Sequence, residues 1–225
     1  MFKVIGGIGL TGLLLVFLIF NTPVARLGSG FLVGNGQYVL TYHQLVKEAE
    51  SLNVKFPNED DIEANVVFAN PDHNLALLKL KEAPKIMAQP LMFSAKGMST
   101  QNESVFTLGY PWTNTMEDQH VLIAGSTLTD TTSVLIKLNM DLDSVHSGGP
   151  LFDSNQQVVG MVLLGDHAKS AFPVTGSQNF AIPKMWLDKV LNTAKIEYNT
   201  RPAQHLSKEA FILKSRNNIV LIEAM

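Results

Sequence analysis

An all-β fold is what this chain predicts, and three observations carry the prediction. Its apolar runs are short, turn residues separate them at regular intervals, and only one later stretch has the four-residue spacing of an amphipathic helix. Strands alternating with helices, which a parallel α/β sheet requires, do not occur, so the pattern reads as a β-barrel or sandwich.

The first segment stands apart from that pattern. Residues Val4 to Phe20 carry no charge and form one apolar run, near the lower limit of the roughly 17–25 residues that span a bilayer. Residues 4–20 therefore read as a transmembrane helix within a segment covering 1–25. The alternative is a signal peptide, whose apolar region is usually about 7–15 residues and ends at an A-x-A-like site. The only small-residue exit here is Pro23-Val24-Ala25, a poor match. Lys3 favours a cytoplasmic N-terminus, with Arg26 reducing the asymmetry, so the rest of the chain is expected on the extracytoplasmic side, periplasmic or extracellular.

Beyond the anchor, Phe31-Leu32-Val33, then Gly34-Asn35-Gly36-Gln37, then Tyr38-Val39-Leu40 reads strand, hairpin turn, strand. Further strands are expected at 65–69, 75–80, 104–108, 120–123, 133–138, 158–164 and 179–182. Between Pro183 and Lys195, Trp186 and Val190 sit four apart, as do Leu187 and Leu191, with the proline at a plausible first turn, so 183–195 is expected to be a helix. The polar stretch from Ala95 to Asn102 breaks the pattern midway and divides the domain into lobes at about 26–95 and 103–182. In the tail, 196–225, Phe211-Ile212-Leu213 and Ile219-Val220-Leu221-Ile222 flank Asn217-Asn218. They suggest a hairpin that packs on the domain or pairs with a partner's edge.

Composition narrows the chemistry. The 225 residues carry a net charge of −3 and no basic block, so the electrostatic footprint of a nucleic-acid binder is missing. The chain has no cysteine, which excludes disulfides, zinc-thiolate sites and a thiol nucleophile. His43, His73, His146 and Asp72 do not match H-E-x-x-H or another ordered ligand pattern, so neither a metal nor a cofactor is expected.

Six blocks then fall into a familiar order: Gly28-Ser29-Gly30-Phe31-Leu32-Val33, Tyr38-Val39-Leu40-Thr41, Asn74-Leu75-Ala76-Leu77-Leu78-Lys79, Leu108-Gly109-Tyr110-Pro111, Ser147-Gly148-Gly149-Pro150-Leu151 and Asn179-Phe180-Ala181-Ile182-Pro183. Together they resemble the trypsin-like serine proteases, closest to the HtrA (DegP-like) branch, over roughly Arg26 to Leu191. The resemblance implies two six-stranded antiparallel β-barrels within 26–195, with an active cleft between them. Members of that branch usually continue into a PDZ domain, for which the roughly thirty residues after the helix are too few.

A serine protease of this kind needs a hydroxyl, an imidazole base, an acid that fixes the imidazole tautomer, and backbone donors for the oxyanion. The resemblance places the hydroxyl at Ser147. Matching Leu40-Thr41 to the family's histidine block puts Tyr42 and His43 in spacer positions and Gln44 at the base, where an amide has no useful basicity. The acid position, just before Leu75-Ala76-Leu77-Leu78, holds Asn74. In the oxyanion turn, Val145 stands where the family has a glycine. A competing reading recruits neighbours, with His43 or His146 as base and Asp72 as acid. A one-residue shift turns a side chain by about 100° on a helix or to the other face of a strand, so neighbours substitute poorly.

The preferred expectation is therefore a membrane-anchored pseudoprotease that binds an extended peptide or an envelope protein without efficient hydrolysis. Its groove would lie beside Ser147 and Val162-Leu163-Leu164-Gly165, near where relatives build a primary specificity pocket. The alternatives are an active HtrA-like endopeptidase using Ser147 with a non-standard base, and a structural subunit of a membrane complex. The oligomeric state stays open.

Overall fold

Strand β1 (Arg26–Val33) turns at Gly34 and Gly36, both at positive φ, into β2 (Tyr38–Tyr42). The Gly36 N–H donates to Val33 O, and Asn35 Oδ1 takes the Gln37 N–H, so the turn's backbone is satisfied locally. In the computed structural model, residues 25–57, 60–96, 102–109, 120–129, 133–176, 178–200 and 205–225 are described. The expected membrane segment and much of the expected inter-lobe linker lie outside them. Among the described residues no helix is long and apolar enough to cross a membrane.

The described strands form two closed antiparallel barrels of six strands each. The first joins β1 and β2 to β3 (Leu52–Lys55), β4 (Ile62–Asn70), β5 (Leu75–Leu80) and β12 (Ile219–Ala224), in the order β1-β12-β3-β4-β5-β2. The second comprises β6 (Ser104–Gly109), β7 (Val121–Leu128), β8 (Ile136–Asn139), β9 (Pro150–Asp153), β10 (Val158–Leu163) and β11 (Asn179–Pro183), closed as β10-β11-β8-β7-β6-β9. Closure leaves neither sheet an unpaired edge. Phe31, Val39, Leu40, Val54 and Leu77 pack in one apolar cluster that continues across the lobe boundary to Leu108, Phe152, Met161 and Phe180. Val105, Leu138, Leu151, Val159 and Val162 form a second cluster. Strand β10 is buried along its whole length, so Leu163 and Val162 serve different clusters. Each such side chain contributes about 1.5–3 kcal/mol by leaving water.

Among the described residues there are four short α-helices: α1 (His43–Val46), α2 (Gly165–Ala171), α3 (Lys184–Thr193) and α4 (Lys208–Ser215). Helix α3 is the helix expected from the spacing; Leu187, Val190 and Leu191 are its buried stripe, and Pro183 precedes its first turn.

The tail differs from the expected hairpin. Phe211-Ile212-Leu213 lies in α4, started by Ser207, whose hydroxyl accepts the Ala210 N–H at 3.2 Å. Phe211 meets Phe106 and Phe152 edge-on, with ring centroids 5.3 Å and 5.0 Å apart, which docks α4 on the second barrel. The Gln156 amide clasps the chain just before it, donating to Leu206 O at 2.7 Å and accepting the Leu206 N–H at 3.0 Å. The chain then crosses to the first barrel, where β12 pairs with β1 (Gly28 opposite Ile222) and with β3 (Leu221 opposite Lys55). Ile219 to Ile222 is a strand, but its partners are not Phe211 to Leu213. The first lobe is consequently not contained in 26–95, because residues 219–224 supply its sixth strand.

Candidate active site

Strand β2 delivers α1 to the boundary between the barrels, and a 3-10 turn, Pro71–His73, delivers Asn74. Asn74 adopts φ +50, a left-handed conformation that asparagine tolerates better than most residues. Its backbone O accepts the His43 N–H at 3.0 Å, its Oδ1 accepts the Gln44 N–H at 2.9 Å, and its Nδ2 points to Gln44 Oε1 at 3.5 Å. Asn74 is buried. The Asn74 side chain thus engages both the backbone and the side-chain amide of Gln44.

Ser147 follows a second 3-10 turn, Ser144–His146. Its carbonyl accepts the Ser29 N–H at 2.8 Å, and the Ser29 hydroxyl donates to Val145 O at 2.5 Å, which ties the loop to β1 of the other barrel. Gly148, at φ +91, is obligatory here: a Cβ at that position would stand 2.0 Å from Ser29 O. Val145 is buried, and in this turn it has no need of the dihedrals a glycine supplies. The Ser147 N–H, one of the two donors an oxyanion hole requires, faces Ser144 O at 3.3 Å.

The hydroxyl itself is held by a residue outside every motif considered above. Helix α2 begins directly after β10, and the Leu164 N–H at its N-cap donates to Ser147 Oγ at 2.9 Å. His167 Nδ1 lies 2.8 Å from the same oxygen. Ser147 is wholly buried, and among the described residues no other acceptor is within hydrogen-bonding distance of its proton. The hydroxyl therefore donates to Nδ1, which fixes the His167 tautomer with its proton on Nε2. Burial pushes the His167 imidazole below its ordinary range, with Asp166 opposing, which keeps the ring neutral and able to accept. The ring stacks on Tyr42 of β2, centroids 5.2 Å apart at 24°. Burial in turn holds the Tyr42 phenol far above its usual range, against the pull of Arg26.

The other sequence candidates lie elsewhere. His43 caps no interaction with Ser147; burial and Lys47 hold its imidazole below the usual range. His146 is buried with Nδ1 2.7 Å from Asp143 Oδ1, and its ring packs over Gly109. Asp72 is exposed on its 3-10 turn, while its neighbour His73 lies edge-on to Trp186 at 4.4 Å. Val162 and Leu163 are fully buried, and Leu164 and Gly165 start α2, so these four residues do not line an open groove. His167 escaped the motif reading because the family register expects an extended segment there. The signal available was Asp166 with Lys169 and Ser170, at the three- and four-residue spacings of a helix.

Residues 28–161 match the model of the trypsin-like peptidase domain. The chain belongs to the trypsin-like peptidase family. Its curated relatives include an uncharacterized protein of Sinorhizobium fredii, 30% identical over 69% of this chain and 25% of that protein. A probable periplasmic DegP-like serine endoprotease of Pseudomonas putida is 31% identical over 60% of this chain and 28% of its own length. The mitochondrial serine protease HTRA2 of Bos taurus is 28% identical over 76% and 37%. The chain thus spans well under half the length of these relatives. Among solved structures, the serine endoprotease of Yersinia pestis shares the fold with a TM-score of 0.60 at 21% identity, covering 75% of this chain and 57% of that one. The inactive form of the Rv3671c protease shares it at 0.56 and 22%, covering 76% and 87%.

Proposed function

We propose that this trypsin-like domain is a pseudoprotease: a module, tethered by residues 4–20 on the extracytoplasmic side of a membrane, that binds an extended peptide or another envelope protein without efficient hydrolysis. The observation that carries the reading is the Gln44–Asn74 amide pair. Gln44 cannot take the serine proton, and loss of the acid alone costs about 10⁴ in turnover in the protease template. An oxyanion donor engaged elsewhere costs about another 10²–10³. These losses are large enough that peptide hydrolysis through the family route falls to background. The test is a fluorophosphonate probe on the purified chain beside Ser147→Ala, with casein turnover. Equal, negligible labelling and turnover is expected, and serine-dependent labelling with hydrolysis would overturn the reading. Resistance of the chain to alkaline carbonate extraction from membranes tests the tether.

A second reading has one specific observation in its favour. His167 Nδ1 at 2.8 Å from Ser147 Oγ is within the reach of a nucleophile and its base. An endopeptidase using that pair would lose labelling and casein turnover in His167→Ala as fully as in Ser147→Ala. Among the described residues no carboxylate is hydrogen-bonded to the His167 ring, and the hydroxyl is out of contact with solvent, which is why this reading comes second.

A further inference from the structure

We propose that α2 is a displaceable plug in the cleft between the barrels, and that His167 is the positioning residue that locks it over Ser147. The inference rests on the reading of that cleft as the binding site and adds how the site is closed. Strand β10 ends at Leu163, and Gly165 begins a helix at once, so the chain folds back over the serine instead of running on beside it. Three contacts join it to the serine and to the opposite barrel: the Leu164 N–H on Ser147 Oγ, the Ser147 hydroxyl on His167 Nδ1, and the His167 ring on Tyr42. Ser147 comes from the second barrel and Tyr42 from the first, so one side chain spans both walls of the cleft. The result is a serine with no exposed surface.

The same helix is otherwise held mainly at its two ends, by the Gly165 N–H on Asn179 Oδ1 at 3.0 Å and by Phe172, just past its last turn, which is buried and stacks on Trp186. It is seven residues long, Leu164 provides no side-chain cap, and Asp166, Lys169 and Ser170 are exposed. Gly165 and Ala168, its buried residues, bring little apolar area. Isolated helices of this length do not persist in water, so α2 depends on its docking contacts and opens without the barrels opening. Helix α3, by contrast, buries Leu187, Val190 and Leu191 in the large core.

The absence of cysteine makes the test direct. In the 225-residue chain, Ser147→Cys places a lone thiol under the plug, and Met87→Cys, at a residue 91% exposed, sets the rate of an unhindered one. Iodoacetamide labelling of Ser147→Cys at a pH where both thiols are ionised is expected to be about 100-fold slower than that of Met87→Cys, and to rise at least about tenfold when His167→Ala is added. Hydrogen exchange on the unaltered chain gives a readout free of substitution: α2 amides exchange about 100-fold faster than those of α3. Labelling of Ser147→Cys at the exposed rate, no effect of His167→Ala, or α2 amides as slow as those of α3 would each overturn the plug. Serine-dependent casein hydrolysis by the unaltered chain would instead overturn the pseudoprotease reading and leave the plug standing.

Discussion

Asn74 and Gln44 form a closed amide pair, with Asn74 Oδ1 accepting the Gln44 backbone N–H at 2.9 Å and Asn74 Nδ2 directed at Gln44 Oε1. Asn74→Leu leaves that N–H without its acceptor and forces a bulky side chain into φ +50. The expected loss is about 2–4 kcal/mol in urea unfolding. Asn74→Asp keeps the acceptor and tolerates the backbone but loses the Nδ2 donor and buries a carboxylate, so a cost of about 1–3 kcal/mol is expected, smaller at acid pH where the carboxyl is protonated. If Asn74→Leu unfolds at the parental midpoint, the pair does not hold the loop.

Gly148→Ala is expected to destabilise by more than about 3 kcal/mol, because the new methyl meets Ser29 O at 2.0 Å where the backbone has no freedom to retreat. Thermal unfolding checks it, and a stable Gly148→Ala would show that the two barrels can separate here at little cost.

Ile222→Ala removes a fully buried side chain from β12 and is expected to cost about 2–5 kcal/mol. Ile222→Asp, which buries a charge without a partner in the first barrel, is expected to abolish folding. Soluble, cooperatively unfolding Ile222→Asp would mean that β12 is not integral to the barrel.

The closed cleft should respond to pH through His167. Its ring faces Asp166 on α2 and Ser147 and Tyr42 across the cleft, with Arg26 acting on Tyr42. Closed, the ring is held neutral; displaced into water, it regains an ordinary value of about 6.5. Below that pH the open form binds a proton that the closed form refuses, so opening increases as pH falls through about 6.5, by at most about tenfold per unit. Above it, opening is independent of pH. Exchange of α2 amides between pH 5 and 8, corrected for intrinsic rates, reads this out, and His167→Gln should flatten the profile.

Much of the fold was legible because turn chemistry marks strand ends. Gly34 to Gln37 announces its hairpin, and Pro183 marks the start of α3. Strands β3 and β9 were not legible: Leu52–Lys55 is four residues with two polar ones, and Pro150–Asp153 is hidden inside the motif around Ser147. Residues 219–222 read correctly as a strand, but a strand's partners are non-local, and β1 and β3 lie at the opposite end of the chain. In the site, counting from neighbouring apolar residues singled out Gln44 and Asn74, and the structure brings these two side chains into contact. His167 could not be found in that way, because its place depends on a helix replacing an extended segment, and local helical spacing over seven residues is a weak signal.

Because β12 seats itself between β1 and β3, a nascent chain leaving the ribosome must carry an incomplete first barrel throughout synthesis of the second. Two raw strand edges stay open for all that time, each a template for mispairing with another nascent chain. The second barrel, made from contiguous sequence, can mature first and then, through Phe211 and Gln156, guide the terminal strand into its slot. The interval between synthesis of β5 and of β12 is therefore when the first barrel is most open to mispairing.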